Sequence, residues 1–232
     1  MQATTTKLLL SISTQFGWKF QTIDIKNAFL NGTHQGRKVY LYLPQGFRKP
    51  DVVCEVVKSI YGLKTAAITW YLALREALES LNFQTSKHDE CLFIRGSTYV
   101  TVHVDDLGVY NDVNNEVVRE LESHFKLTSA KGDHLNYLGM EIQRVTPYCI
   151  QLSQRSYTQS ILDDFNSLIR QSSVPISSLA PYGSPGSAAA SEIKRFQRVI
   201  GKLIYLSCNT RPDIHFAVIY ALGFANKPSK AA

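Results

Sequence analysis

An α+β fold, antiparallel strands backed by helices and followed by a helical C-terminal segment, is predicted by three features of this sequence. Short segments alternate apolar and polar residues with period two, others place apolar residues every three to four positions, and Gly, Pro and Asn separate them at hairpin spacing.

Taking the elements in order, Lys7 to Phe20 carries Leu8, Leu9, Ile12, Phe16 and Phe20 in helical rhythm, then Phe20 to Ile25 alternates like a strand with Asp24 near its end. After Asn31-Gly32, Lys38–Leu43 and Val52–Val57 flank Pro44-Gln45-Gly46 and read as a hairpin. Trp70, Leu74, Ala77, Leu78 and Leu81 make an amphipathic helix of Lys64–Leu81. Cys91 to Asn111 is a second hairpin turning at Arg95-Gly96-Ser97, and Val113, Val117, Val118, Leu121 and Phe125 mark the next helix. Tyr137–Ile142 and Cys149–Leu152 flank Pro147 as a further hairpin, ahead of a helix through Tyr157, Ile161, Leu162, Phe165 and Leu168. Gln171 to Ser191, rich in Ser, Pro, Ala and Gly, has too few large apolar residues to pack and is expected to be a flexible linker. Beyond it, a stripe through Ile193, Phe196, Val199, Ile200, Leu203 and Ile204, and a second after Pro212, predict a helical pair. The expected division is therefore 1–170, a linker 171–191, and 192–232.

With 232 residues the chain can bury a full core, and 25 basic against 19 acidic side chains, net +6, give a mild bias toward polyanions. Cys54, Cys91, Cys149 and Cys208 lie far apart among apolar neighbours, which predicts buried, reduced thiols in an intracellular protein. No apolar run reaches membrane-span length and the N-terminal residues lack the layout of a secretory signal, so a soluble, non-secreted chain is expected. His34, His88, His124 and His134 fall in polar surroundings without metal-ligand spacing and are given no role.

Asp105-Asp106 stands out, two adjacent carboxylates inside a Val- and Tyr-rich run. Such a pair is costly unless a cation or a catalytic task holds it, although an Asx-type turn accounts for it equally well on this segment alone. If the strand ending near Asp24 neighbours that hairpin, three carboxylates meet at one sheet edge and suit hard divalent cations.

Five segments then occur in one order: Ile23-Asp-Ile-Lys-Asn-Ala-Phe-Leu-Asn-Gly32, Ile60-Tyr-Gly-Leu-Lys64, Val102-His-Val-Asp-Asp106, Tyr137-Leu-Gly139 and Asn209-Thr-Arg-Pro-Asp-Ile214. Together they resemble the reverse transcriptase of copia-type long-terminal-repeat retrotransposons, from about Thr5 to Lys227. The resemblance implies a right-hand polymerase with an antiparallel palm sheet backed by helices, a primer-grip hairpin and partial fingers within 1–170, and a helical thumb or connection segment over 192–232. It implies catalysis and metal binding by Asp24, Asp105 and Asp106, with two Mg2+ ions, or Mn2+ in their place. It implies RNA template, DNA primer and deoxynucleotide as partners, no membrane, and a cytoplasmic setting; it leaves oligomeric state open. Phe29 matches the steric gate against a ribose 2′-hydroxyl. Tyr61, Gly62 and Lys64 match the segment under the templating base, and Tyr137, Leu138 and Gly139 match the primer grip.

The chain also departs from this pattern. His103 stands where relatives carry an aromatic, most often Tyr, and beside two cations its pKa is expected to fall, leaving it neutral. Thr65, Ala67 and Ile68 replace the family's Gln, Pro and Arg. The relatives' basic fingers segment precedes the position of Thr5, so the fingers are expected to be largely missing. Three readings follow: an RNA-directed DNA polymerase fragment, a catalytically decayed element remnant with residual nucleic-acid binding, or a co-opted interaction module, for which the sequence offers no positive sign.

Overall fold

The computed structural model describes residues 2–33, 37–165, 172–176, 188–226 and 228. His34, Leu168, Lys227, Ser229 and most of the expected linker lie outside the described residues. By contacts the chain forms two units, one of residues 1–138 with 142–151 and one of residues 139–141 with 152–232.

The first unit opens with α1 (Ala3–Phe16), whose N-terminus is held by Asp89. That carboxylate accepts hydrogen bonds from the Gln2 amide at 2.9 Å and the Thr5 hydroxyl at 2.6 Å. Next come β1 (Phe20–Ile25), the short α2 (Ala28–Asn31), the hairpin β2 (Tyr40–Tyr42) and β3 (Val53–Glu55), and α3 (Ala66–Ser80). Then follow β4 (Gln84–Thr85), β5 (Leu92–Arg95), β6 (Thr98–His103), β7 (Asp106–Tyr110), α4 (Glu116–Glu122), β8 (Leu127–Lys131) and β9 (His134–Tyr137). Six of these strands form one sheet in the order β4-β5-β6-β7-β1-β8, every pair antiparallel. The sheet and its helices are the α+β arrangement that the periodicities predict.

Period two sorts the sheet's side chains onto two faces. Ile23 and Ile25 of β1, Leu107 and Val109 of β7, and Val100 and Val102 of β6 share one face and pack with Trp70, Leu74 and Leu78 of α3 and Val117, Val118 and Leu121 of α4 into a continuous core. The register then sets the opposite face: Phe20 lies beside Tyr110, Thr22 beside Gly108 and Asp24 beside Asp106, while across β7 Tyr99, Thr101 and His103 face the same three residues. Removing this much apolar surface from water stabilises the sheet, at roughly 25 cal/mol per Å², and fixes which residues are left for the other side.

The hairpin expected around Pro147 forms, but its first strand begins at Met140 and not at Tyr137. Leu138 and Gly139 both take positive φ, 51° and 68°, so they form a tight turn between β9 and β10 (Met140–Thr146), not the middle of a strand. β10 pairs in turn with β11 (Cys149–Ser153), giving a three-stranded sheet in the order β11-β10-β9.

The second unit is mainly helical: α5 (Arg155–Phe165), α6 (Ala190–Asn209), a 3-10 turn at Pro212–Ile214 and α7 (His215–Leu222). Pro212 opens that turn, where its missing N–H costs nothing. Glu141 anchors the start of α5, accepting from the Ser153 hydroxyl at 2.7 Å and from the amide and hydroxyl of Ser156 at 3.0 and 2.9 Å. These bonds hold the Glu141 carboxyl down at about 2, the Ser156 amide contributing most. The buried Gln154 side chain donates to the Gly139 carbonyl and accepts from the Thr210 hydroxyl at 2.9 Å.

The cysteines correct an expectation. Cys54, Cys149 and Cys208 are exposed and only Cys91 is partly covered, and no disulfide joins any of the four. Cys54 sits on a two-stranded hairpin whose strands are exposed throughout, so apolar neighbours in sequence did not make a buried site. His88, His124 and His134 are exposed, His134 within β9.

Candidate active site

Asp24, at the end of β1, faces Asp106, the first residue of β7, in direct register. Asp105 precedes it in the two-residue turn joining β6 to β7. These three carboxylates, 81 and 82 positions apart in the chain, are thus brought to one edge of the sheet because β1 inserts between β7 and β8. The charges feel one another. The Asp106 carboxyl is pushed above its ordinary range, first by burial and then by the negative charges of Asp105 and Asp24, with His103 partly offsetting them. Asp24 is partly answered from within the chain, through an ion pair with Lys26 and a hydrogen bond from the Thr128 hydroxyl on β8 at 3.3 Å.

The turn itself is held under strain. Val104, its first residue, has φ 56°, a conformation that primed hairpin turns reserve for Gly or Asn and that costs a β-branched residue on the order of 1–3 kcal/mol. Two backbone carbonyls of this turn are gripped from outside it. The Trp70 indole N–H donates to the Val104 carbonyl at 2.6 Å, and the Ile25 amide donates to the Asp105 carbonyl at 2.9 Å. Each such bond contributes about 0.5–1.5 kcal/mol, so the two together are of the same size as the strain. Trp70 is itself fixed, 1% exposed in the core and edge-on to Phe125 with ring centroids 5.2 Å apart. The sequence marked Trp70 only as an apolar helix position; its indole donor reaching across 34 residues has no local signal.

Other predicted positions are brought together in part. Phe29, on α2 just after the Asp24 end of β1, packs edge to face on Tyr61 with centroids 4.7 Å apart. Gly62 takes φ 94°, which requires glycine, and Lys64 is exposed two residues before α3 begins. Thr65 precedes α3 and its carbonyl accepts from the Thr69 amide and hydroxyl, while Ala67 and Ile68 point to solvent. His103 is exposed beside Asp106.

Tyr137 is placed differently from its turn neighbours. Its ring is buried against Phe20, its hydroxyl lies 3.0 Å from that of Thr101, and burial raises its pKa strongly. Gly108 makes the space: a Cβ there would come within 2.8 Å of the Thr101 hydroxyl and 3.1 Å of the Tyr137 ring. Tyr137 therefore anchors β9 on the sheet face that carries Asp106, and Leu138 and Gly139 form the accessible turn. Gly139 has a second constraint, since a Cβ would lie 2.6 Å from the Tyr205 hydroxyl of α6.

Residues 1–177 match the family described as reverse transcriptase (RNA-dependent DNA polymerase). The chain belongs to that family. Its relatives include the retrovirus-related Pol polyproteins from transposons RE2 and RE1 of Arabidopsis thaliana, 32% and 33% identical over 94% and 99% of this chain. The chain spans 16% of the length of each polyprotein. These matches agree with the copia-type resemblance read from the motifs. Among solved structures, apo telomerase from Candida tropicalis aligns with 64% of this chain and 40% of its own at 7% identity, with a TM-score of 0.35.

As donors, the Asp24, Asp105 and Asp106 carboxylates suit a hard divalent cation, which takes oxygen ligands and only one or two carboxylates each when it is magnesium. The register of Asp24 against Asp106, with Asp105 in the adjoining turn, is the observation that fits, because it brings three carboxylates to one sheet edge. Among the described residues no three acidic, His or Cys side chains already stand at metal-ligand spacing, so Lys26 and the Asp rotamers would have to turn. No helix among the described residues is long and apolar enough to cross a membrane.

Proposed function

We propose that this chain is the polymerase portion of a copia-type element and extends a DNA primer on an RNA template. The observation that carries the proposal is the register of Asp24 against Asp106, with Asp105 in the adjoining turn. In the reaction the primer 3′-hydroxyl attacks the α-phosphate of a deoxynucleotide, a new P–O bond forms, and pyrophosphate leaves. Two magnesium ions, when bound, would activate the attacking oxygen and stabilise the leaving one; Asp24, Asp105 and Asp106 are the residues to hold them, and Mn2+ is the substitute to try.

The chain's own residues supply position. The sheet fixes the two strands that carry Asp24 and Asp106, so little reorganisation is needed as charge develops. Phe29, braced by Tyr61, offers an aromatic surface to the sugar of the incoming nucleotide and disfavours a 2′-hydroxyl. Gly62 lets the backbone come close to a templating base, and Lys64 meets a phosphate. Leu138 and Gly139 present the turn that grips the primer end, and α6 and α7 serve as the thumb or connection segment.

The decayed-remnant reading has one observation in its favour: Lys26 pairs with Asp24 inside the chain. A single experiment separates the two. Primer extension on poly-rA with oligo-dT and magnesium should fall on the order of a thousandfold in the Asp105→Asn, Asp106→Asn double variant. Equal background from both proteins sinks the polymerase reading. RNA binding that survives in the variant and weakens as salt rises then supports the remnant.

A further inference from the structure

We infer that Trp70 is a positioning residue, whose indole N–H locks the strained Val104–Asp105 turn and so sets where the Asp105 and Asp106 carboxylates point. The kinetic part of this inference rests on the polymerase reading; the lock itself does not.

The geometry carries it in three steps. Val104 occupies the left-handed region at φ 56°, and its side chain lies outside the buried core at 42% exposure, so core packing of its own side chain does not hold it there. The Val104 carbonyl receives the Trp70 indole at 2.6 Å, from a ring that is 1% exposed and packed on Phe125. Trp70 also belongs to the core cluster that holds Ile23 and Ile25, and Ile25 is the residue whose amide donates to the Asp105 carbonyl. Both outside grips on the turn thus come from one rigid core. If the indole is removed, the turn can relax toward an ordinary φ, and a shift of the order of 1 Å in a reacting group is enough to cost large factors in rate. Trp70 touches no substrate in this scheme; it acts through Val104.

A merely structural tryptophan predicts something else, namely loss of stability without a specific partner. The test is therefore a double-variant cycle on the full chain. Trp70→Phe keeps most of the ring and deletes the donor, and Val104→Gly removes the strain that the donor opposes. On poly-rA with oligo-dT and magnesium, Trp70→Phe should lower kcat about tenfold and leave KM for primer–template unchanged. In the Val104→Gly background the same substitution should cost less than about threefold, because an unstrained turn needs no lock. Losses that multiply across the two sites overturn the inference.

The second readout needs no catalysis. The chain has two tryptophans, and Trp18, stacked between Phe16 and Tyr99, is an internal reference. In a 15N spectrum the Trp70 indole proton should exchange with solvent far more slowly than that of Trp18, with or without magnesium. Equal exchange overturns the lock. Should Trp70→Phe fail to fold, Val104→Gly compared with Val104→Ala decides: at a positive φ the glycine variant should have the higher unfolding midpoint, and a midpoint at or below that of the alanine variant refutes a strained turn. If the wild type extends no primer beyond the double-aspartate variant, the polymerase reading fails, while slow indole exchange and the higher glycine midpoint still support the lock.

Discussion

The two units of this chain are held together by different physics. In the first, buried aliphatic and aromatic residues from β1, β5, β6, β7, α3 and α4 make one core, with Leu74, Leu78, Phe93, Val100, Leu107, Val109, Val117 and Leu121 fully enclosed. In the second, α5 buries only Ile161 and α7 only Val218, whereas polar groups staple the elements: Glu141 on the start of α5, Gln154 between Gly139 and Thr210, and Asp164 of α5 facing Arg198 and Lys202 of α6. Apolar burial carries no titrating group, whereas carboxylate staples titrate and are screened by salt. The region that carries the candidate carboxylates is thus built on the sturdier base.

The largest break of this contrast should come from the core. Leu74→Ala, at a site with no exposure, should cost about 2–5 kcal/mol in urea unfolding, and a cost under about 1 kcal/mol would mean the core is looser than the packing shows. Gly108→Ala comes next. Its Cβ would press on the Thr101 hydroxyl, Phe20 and Tyr137, a crowding that costs about 1–3 kcal/mol, and Tyr137 should lose burial, seen as a rise in its accessibility to nitration. An unchanged stability would show that β9 is not seated on Gly108.

Asp106 sharpens the comparison from the electrostatic side. Its pKa is raised in the fold, first by burial and then by Asp105 and Asp24, so its contribution to stability is full below the ordinary carboxylate pKa and is lost as pH rises through the raised value. Asp106→Asn should accordingly be the more stable protein at neutral pH and equal to wild type in acid, and magnesium should narrow the neutral gap. Wild type melting higher at both pH values contradicts this. Glu141 gives the smallest effect and the opposite sign. With its carboxyl held at about 2 by Ser156 and Ser153, its contribution is present above the ordinary Glu pKa and disappears as pH falls toward 2. Glu141→Gln should lower the melting midpoint slightly at neutral pH and remove the acid-side slope, so that the variant and wild type converge near pH 2.

Much of this was legible in the chain itself, and the reason is local. Period two in Phe20–Ile25 and Thr98–Tyr110 and helical spacing in Ala66–Ser80 follow from how side chains leave a backbone, so strands, helices and the apolar face could be read before any contact was known. The ordered motifs marked Asp24, Asp105 and Asp106 in the same way. Gly139 signals a sharp bend, but a lone Gly in an apolar run does not announce two successive positive φ angles, so the strand boundary at Met140 is not legible. The exposure of Cys54 and Cys208 is not legible either, because their sequence neighbours say nothing about what packs over them.

Sequence alone determined which residues alternate, which carry charge, and to which family the chain belongs. Only the tertiary structure decided that β1 lies between β7 and β8, setting Asp24 against Asp106, that Gly108 opens a seat for Tyr137, and that an indole on α3 grips the carbonyl of Val104. Those are contacts between residues tens of positions apart, fixed by strand order and by the packing of a shared core, and no periodicity along the chain encodes them.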